Sequence, residues 1–221
     1  MTHLSNALFF YFIPIAAGIA FLSSLTIYFQ PPVERYLKYF SIFLLFNSLL
    51  EAYLNIQAWN SLNTVFINNI ETLLVVSFEL FLLRDIIRRP VAKKVLTYIL
   101  FGYPVFGLIN ILFIQVGVFH TFSYCLGCLL IVSACIYYFW ELFQLKHSVD
   151  LVHQPAFWIC SGLLFFYSCT FPLYGLAKLM LALPRIILEN LFIIFVFLNI
   201  FLYLSFTIAF LCRLKTRRSM S

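Results

Sequence analysis

Charged side chains are scarce in this sequence, and the chain has no long polar segment. Only 10% of its 221 residues are Asp, Glu, Lys or Arg, whereas soluble domains contain about 25%. Hydrophobic side chains make up 64% of the chain and aromatic ones 20%. A soluble fold would expose so much apolar surface that it would aggregate, whereas a bilayer covers the same surface with lipid. The composition therefore excludes a soluble domain and predicts an all-α integral membrane protein.

Catalytic and cofactor-binding motifs are missing as well. The sequence has no GxSxG motif, no P-loop and no glycine-rich dinucleotide fingerprint, and its histidines are too scattered for a zinc-protease motif. We therefore expect no cofactor, no metal and no catalysis, and we interpret His147, Asp150 and His153 as part of a solvated loop. The net charge is +6, but the basic residues lie at helix ends, as is typical of membrane topology, so no nucleic-acid partner is predicted.

Seven apolar runs are long enough to cross the hydrocarbon core, which takes about 20 helical residues. Charged residues, proline or glycine separate the runs. Pro155 and Pro184 open the last two, and proline suits the first turn of a helix because its missing N–H would be unpaired there anyway. We therefore predict a single transmembrane domain, a seven-helix bundle with a basic cytoplasmic tail at 213–221. The spans are about 7–29, 37–58, 65–84, 95–115, 118–141, 155–178 and 184–212.

The basic residues favour one orientation of this bundle. Lys and Arg are enriched in the short cytoplasmic loops of membrane proteins. With the N-terminus outside, the outer side carries only Lys178 and Arg185, and the inner side carries twelve basic residues. We therefore expect an outer N-terminus and a cytoplasmic C-terminus, in the inner membrane of a bacterium. The twelve are Arg35, Lys38, Arg84, Arg88, Arg89, Lys93, Lys94, Lys146, Arg213, Lys215, Arg217 and Arg218.

Four carboxylates fall within the predicted spans, where a charged side chain at mid-helix costs about 2.5–3.5 kcal/mol. The third span carries two of them, although its apolar residues contribute only about −4 to −8 kcal/mol to insertion. These groups are expected to face other helices or water rather than lipid. Helical spacing supports this, because the polar residues form one stripe per helix. The stripes are Asn47, Glu51 and Asn55 on the second helix, Asn68, Glu71 and Glu79 on the third, and Arg185, Glu189 and Asn190 on the seventh.

The predicted topology gives these stripes a depth. Glu51, Glu71 and Glu189 fall in the outer third of the membrane, Glu79 lies nearer the cytoplasm, and Arg185 lies near the outer mouth. One interpretation is a polar pocket, open to the outside, for a ligand or for protons, since ionisable residues inside membranes are functional candidates. The other interpretation is that protonated Glu and Asn side chains simply join the helices by hydrogen bonds. Four carboxylates are more than packing usually needs, which favours the pocket.

Cys125 and Cys128 form a CxxC pair near the outer end of the fifth predicted helix. Quinone-linked disulfide-forming membrane enzymes also place a CxxC near the outer face. Such catalysis needs a low-pKa thiol and usually a second cysteine pair outside the membrane, and no predicted outer loop contains cysteine. Positions i and i+3 share a helix face, so we interpret the pair as small core residues, with a redox enzyme as the minor alternative. All six cysteines lie in or beside apolar runs, so no disulfide framework is expected.

The start of the sixth predicted helix carries a pattern of its own. Residues 154–165 read Gln-Pro-Ala-Phe-Trp-Ile-Cys-Ser-Gly-Leu-Leu-Phe. This stretch resembles the P-x-F-W-x-x-x-G-x-L-x-F pattern found there in the seven-helix membrane sensor regions that precede histidine kinases in some bacteria. The polar second and third helices and the basic tail look similar too. The chain has no phosphoacceptor-histidine helix and no ATP domain, so the resemblance implies a module that acts on a separate histidine kinase or another signalling protein.

The sequence therefore favours two alternative functions. The first is a non-catalytic sensory or accessory protein of the bacterial inner membrane, with a polar pocket facing outward. The alternative is a small transporter that uses Glu51, Glu71, Glu79 and Glu189 as proton or cation sites. The expected partners are the lipid bilayer and a signalling protein, and the sequence is compatible with a homo-oligomer.

Overall fold

The computed structural model describes residues 12–29, 33–60, 62–144, 151–175 and 185–218, with backbone alone at 58–59, 185–190, 192 and 213–218. Within these ranges the chain is helical and forms no strand. The described residues form seven helices. They are α1 (Ile13–Ser24, extended by a 3-10 segment Leu25–Phe29), α2 (Arg35–Trp59), α3 (Val65–Ile86), α4 (Pro90–Ile109, followed by a π turn Asn110–Ile114), α5 (Thr121–Phe143), α6 (Pro155–Gly175) and α7 (Arg185–Arg218).

Six of the helices close into a ring, and α4 lies outside it. Along the ring α1 packs on α2, α2 on α3, α3 on α5, α5 on α6, α6 on α7, and α7 returns to α1. The fourth helix packs mainly on α3, with a smaller contact to α5. The chain thus leaves the ring after α3 and re-enters it with α5. A cavity inside the ring is consequently bounded by six helices and not by α4.

The outward faces of the helices carry large exposed apolar side chains. On α4 these include Tyr98, Phe101 and Val105, and on α7 they include Phe197 and Leu204. Six helices, α2 to α7, are long and apolar enough to cross a membrane, and Ile13–Phe29 is apolar but shorter. Because a helix satisfies its own backbone hydrogen bonds, such segments can cross the hydrocarbon core in contact with lipid. The protein is therefore an all-α, multi-pass membrane protein.

The observed helices extend several of the predicted spans at their polar ends. The fourth helix starts at Pro90 rather than 95, so Lys93 and Lys94 lie in its first turns. Long basic side chains tolerate this position because their apolar stems follow the helix while the charge reaches water. The seventh helix continues to Arg218, which makes most of the predicted tail helical. The part of the first predicted span before Phe12 lies outside the described residues.

Two ends of the bundle differ in charge. At the basic end, residues 33–37, 85–88, 141–142 and 153–156 line one cavity, with an Arg84–Asp85 ion pair of 3.2 Å nearby. At the neutral end, the connections 60–64 and 115–120 contain no Asp, Glu, Lys or Arg. The turn at this end depends on Gly117, whose φ of 72° favours glycine.

An aromatic plug fills the ring in its basic half. The ring of Phe40 lies 4.8 Å from that of Phe206 and 5.6 Å from that of Phe210, between ring centroids. On the other side, Phe43 and Phe78 stack at 3.9 Å. Phe40 is fully buried and Phe210 nearly so. The plug, defined as these five residues, closes the floor of the space that the ring encloses toward the neutral end.

Candidate functional site

A cavity of about 330 Å³ lies inside the ring above the plug. On α3 its lining residues run from Thr64, at the neutral end, to Glu79, so the cavity spans roughly 20 Å of helix. This volume is at the small end of the range for ligand pockets, about 300–1,000 Å³. Six of the nine predicted site residues line it, namely Asn47, Glu51, Asn55, Asn68, Glu71 and Glu79.

One side of the cavity, the acidic wall, is formed by these six residues of α2 and α3. The Asn47 amide donates a hydrogen bond of 3.0 Å to the Tyr203 hydroxyl of α7. That hydroxyl also lies close to the Glu51 side chain. Glu71 lies close enough to Glu51 for the two carboxylates to interact electrostatically. The stripes predicted on two separate helices therefore meet across one space.

Glu79 forms the deepest acidic point of the cavity. Its side chain is 2% exposed, and the Tyr167 hydroxyl of α6 donates a hydrogen bond of 2.5 Å to Glu79 Oε2. A polar group buried this deeply needs a partner of this kind, because burial of an unpaired carboxyl group is costly. The helical period that turns Glu71 inward also turns Glu79 inward, two turns further along α3.

The opposite side, the aromatic wall, is formed by Phe119, Tyr124, Phe166, Tyr167, Tyr174 and Phe195. The rings touch in sequence: Tyr124 and Tyr174 are 4.6 Å apart, Phe119 and Tyr174 are 5.0 Å apart, and Tyr174 and Phe195 are 5.9 Å apart. These separations, all between centroids, are those of favourable aromatic pairs. The wall is therefore a continuous surface of rings that faces the acidic wall across the cavity.

The carboxylates outnumber their described partners. Glu51 Oε2 is buried and has no hydrogen-bond partner within the described part of the chain. Among the described residues that line the cavity, none is Lys, Arg or His. Buried polar oxygens are nearly always hydrogen-bonded in folded proteins. The acidic wall therefore contains a buried acceptor without a described partner, in a residue that lines a space without a described counter-charge.

The three remaining predicted site residues belong to the first turns of α7. The side chains of Arg185, Glu189 and Asn190 lie outside the described residues, as does all of Lys178. The α7 backbone is helical from Glu189 to Tyr203, a rise of about 21 Å at 1.5 Å per residue. Tyr203 lies near Glu51. Three of the four predicted glutamates, Glu51, Glu71 and Glu79, line the cavity. Participation of Glu189 stays a prediction.

Several residues of the site were not singled out by the sequence. Tyr203 and Asn199 line the cavity from α7, and Tyr167 and Tyr174 line it from α6. The spacing of four between Asn199 and Tyr203 was an available signal, because an amide in a long apolar helix marks an inward face. The tyrosines gave no such signal, because the chain contains 13 of them.

A buried polar cluster fastens the loop that supplies Phe119. The Asn69 side chain of α3 donates a hydrogen bond of 2.8 Å to the Val118 carbonyl and accepts one of 3.3 Å from the His120 backbone N–H. His120 Nδ1 lies 2.6 Å from Ser123 Oγ. This oxygen also accepts a hydrogen bond of 2.9 Å from the Asn110 amide of the π turn. His120 precedes the spanning part of α5, and burial lowers its pKa to about 4. The imidazole is therefore neutral near pH 7.

A second cavity, of about 890 Å³, lies at the basic end. Its lining is mixed in charge, with Arg35, Arg88 and Lys93 alongside Glu34 and Asp85. Glu141 of α5 also lines it and accepts a hydrogen bond of 2.9 Å from the Arg88 backbone N–H, which ties the α3–α4 connection to α5. The plug separates this cavity from the one between the acidic and aromatic walls.

The other residues considered from the sequence contribute little to either cavity. Cys125 and Cys128 are unpaired thiols on α5, the first partly exposed and the second buried. His153 lines the basic-end cavity, and His147 and Asp150 lie outside the described residues.

The fold and the cavity together define a multi-pass helical membrane protein with an acidic and aromatic cavity inside a helix ring. Comparisons with protein families, with curated proteins and with solved structures find no match for this chain.

Proposed function

We propose that this chain is a non-catalytic sensory protein of the bacterial inner membrane, which binds a small ligand in the cavity between the acidic and aromatic walls. In this proposal all seven helices cross the membrane. The neutral end and the N-terminus face outward, and the basic end faces the cytoplasm. Binding is relayed to a separate signalling protein, such as a histidine kinase, at the basic end.

The orientation rests on the distribution of charge. The described connections of the neutral end lack Lys and Arg, whereas Arg35, Arg88, Arg89, Lys93 and Lys94 cluster at the other end. Cytoplasmic loops carry this excess of basic residues. A fluorescent protein fused after Ser221 should fluoresce in the cytoplasm, and an alkaline phosphatase fused there should be inactive. An active phosphatase fusion contradicts the orientation.

The observation that carries the sensory function is a cavity with a floor. The cavity extends from Thr64 inward to Glu79 and Phe206, where the plug begins. A pocket closed at its inner side can hold a ligand without passing it on. The aromatic and amide lining, with few charged groups, is the usual character of a small-molecule site.

Outward access of the cavity can be tested with cysteine substitutions in intact cells. Asn55→Cys, in the cavity near the neutral end, should react with a membrane-impermeant maleimide above the background of the native thiols. Ile42→Cys is a matched control on α2, because the Ile42 side chain is 60% exposed on the face of that helix that points away from the bundle. A thiol there lies in lipid, where it does not ionise to the reactive thiolate. Equal labelling of both variants, or of neither, contradicts an outward-facing cavity.

The signalling partner can be sought by photo-crosslinking at the basic end. A photoreactive phenylalanine analogue in place of Lys94 should capture a histidine kinase or other signalling protein, and the yield should change when ligand is added. The same analogue in place of Phe101, seven residues along the same face of α4 and 73% exposed, should capture lipid only. Identical products at the two positions contradict a partner at the basic end.

A transporter is the alternative that one further observation favours. Two cavities approach the plug from opposite ends of the bundle, and Glu79 lies beside the plug on its outer side. Movement of the plug residues would join the cavities. Protein reconstituted in liposomes with a pH-sensitive dye distinguishes the two functions: a proton flux that Glu79→Gln abolishes supports transport, and the absence of flux with retained ligand binding supports sensing.

A further inference from the structure

We infer that the cavity binds a compact organic cation, an amine or quaternary ammonium group, held between the acidic wall and the aromatic wall. The inference rests on the proposed ligand-binding function and specifies the chemical class of the ligand. It follows from three observations: the acidic groups, the ring surface opposite them and the unpaired oxygen of Glu51.

The acidic groups determine the sign of the ligand's charge. Glu51, Glu71 and Glu79 line one cavity, and the lining residues described contain no cationic side chain. The Tyr167 hydroxyl donates a hydrogen bond to Glu79 and the Tyr203 hydroxyl lies near Glu51, and neither carries a positive charge. A ligand with a positive charge would supply the missing counter-charge between protein walls, where charge attraction is stronger than in bulk water. An anion would meet three carboxylates and no described base.

The aromatic wall decides between an inorganic and an organic cation. The faces of Tyr and Phe rings attract cations within about 6 Å of their centroids, and organic ammonium groups with methyl or methylene carbons also bury apolar surface against them. Phe119, Tyr124 and Tyr174 form mutual contacts of 4.6 to 5.6 Å between centroids. A small metal ion would gain little from such a surface, since hard cations prefer several oxygen ligands.

Glu51 Oε2 points to a ligand rather than to packing alone. If the carboxylates only joined helices, their buried oxygens would be expected to have partners from neighbouring helices. Tyr203 lies beside the Glu51 side chain, yet Glu51 Oε2 is buried without a partner among the described residues. The rest of the Glu51 side chain lines the cavity, so a rotation of its carboxyl group would bring this oxygen to a ligand N–H donor or an ammonium group.

Size limits the ligand to a few heavy atoms. The cavity of about 330 Å³ is elongated along the ring axis over roughly 20 Å, so its cross-section is narrow. Choline and tetramethylammonium are suitable probes. The carbon isostere of choline, 3,3-dimethylbutan-1-ol, has the same shape without the charge and serves as the matched ligand control.

The test is a binding titration of the full chain in dodecyl maltoside, a detergent without a choline headgroup. Choline and tetramethylammonium should raise the thermal unfolding midpoint in a saturable way, and the neutral isostere should not. Glu51→Gln should weaken choline binding by about tenfold, the loss expected when one buried charge attraction is removed. Tyr174→Leu should weaken choline by several-fold and leave the response to the isostere unchanged. Glu141→Gln, at the basic-end cavity, is the matched protein control and should bind choline like the wild type.

The outcomes separate this inference from the function on which it rests. The neutral isostere could bind saturably with the same affinity as choline, and Asn199→Trp in the cavity could abolish that binding. This result would support the ligand-binding cavity but would overturn the inference that its ligand is a cation. Choline binding that is equal in wild type and Glu51→Gln overturns it as well. Failure of both cations to bind overturns the inference, whereas the labelling of Asn55→Cys reports on the outward-facing cavity independently. Stabilisation by sodium chloride equal to that by choline chloride shows a salt effect and also rejects the organic cation.

Discussion

The third and fourth helices are neighbours of similar length, yet they occupy opposite environments. α3 lies in the ring and presents Glu71 and Glu79 to the cavity, while α4 lies outside the ring and presents Tyr98 and Phe101 outward. Both are apolar enough to cross a membrane. Hydrophobicity alone therefore does not separate a lining helix from a peripheral one. The position of the carboxylates does, because a charged side chain survives in a bilayer only where the protein or water surrounds it.

The largest effect is expected when a carboxylate is moved from α3 to α4. Phe101 lies near the middle of the span Pro90–Ile114 and is 73% exposed. Phe101→Glu should cost about 2.5–3.5 kcal/mol and strongly reduce the amount of folded protein in membranes. Size-exclusion chromatography of detergent-extracted protein measures this yield, with Phe101→Leu as the apolar control. Normal yield of Phe101→Glu would mean that protein rather than lipid covers this face of α4.

A second effect concerns the loop after α4, which Asn69 of α3 holds in place. Burial lowers the pKa of His120 to about 4, against 6.5 for an exposed histidine. Below pH 6.5 the unfolded chain takes up a proton that the folded chain does not, so stability is complete above pH 6.5 and is lost as the pH falls toward 4. At pH 5 the loss is about 2 kcal/mol.

This pH dependence can be measured by thermal unfolding at pH 7 and pH 5 for the wild type and for His120→Gln. The intramembrane glutamates titrate in both proteins, so the difference between the two isolates the histidine. We expect a smaller decrease in the unfolding midpoint for His120→Gln. Equal decreases would show that His120 is already accessible to protons in the folded protein.

The contact between α3 and α4 gives the next largest effect. A Cβ atom added at Gly107 of α4 would lie 2.2 Å from Leu73 Cδ1 of α3, and one added at Gly102 would meet no atom within 4 Å. Gly107→Ala should therefore destabilise the protein by about 1–2 kcal/mol, since the Leu73 side chain must move. Gly102→Ala, on the same helix, should be neutral or slightly stabilising because alanine favours helix.

A further variant identifies the cause of the Gly107 effect. Leu73→Ala removes the side chain that the added methyl group would meet. In that background, Gly107→Ala should cost almost no stability, so the double variant should be about as stable as Leu73→Ala alone. Thermal unfolding of the four proteins gives this coupling. Additive effects would mean that α3 and α4 are farther apart than the structure places them.

The smallest effect is expected on α5, the helix that contacts both α3 and α4. Cys125→Ala and Cys128→Ala together should leave cation binding within about twofold of the wild type, because small residues replace small residues on a packed face. The double variant is measured in the choline titration, and a redox titration of the wild-type thiols is its companion. A disulfide between Cys125 and Cys128 that forms and breaks with quinone would contradict the structural interpretation.

The sequence predicts the helical architecture and the polar faces of α2 and α3 because both depend on local properties. A run of about 20 apolar residues predicts a span, and a spacing of three or four places Asn47, Glu51 and Asn55 on one face. Which helices those faces meet depends on non-local packing. The connection of α3 to α5 past a peripheral α4 has no signature in hydropathy, and neither has the choice of Tyr203 as the partner of Asn47 and Glu51.

Aromatic residues show a second limit of sequence reasoning. With 28 Phe and 13 Tyr in the chain, the few that form the aromatic wall cannot be distinguished by type. The wall draws residues from the 115–120 connection, α5, α6 and α7. These segments are far apart in sequence and adjacent only after folding. The depth of Glu189 in the membrane is equally hard to predict from sequence, since it depends on how far α7 extends past its neighbours.

The aromatic plug has an electrical consequence. On α2, Leu37 lines the basic-end cavity and Phe43 lines the other cavity, so about 9 Å of helix separates the two lined regions. Water in both cavities would bring bulk potential to either face of the plug. The membrane voltage would then fall across about 9 Å rather than across the 30 Å hydrocarbon core, which makes the local field about three times stronger. A unit charge displaced through the plug would exchange about 2.3 kcal/mol with a potential of 100 mV, so a proton or cation that moves between Glu79 and the basic-end cavity would respond to voltage, whereas movement of the uncharged Phe rings alone would not.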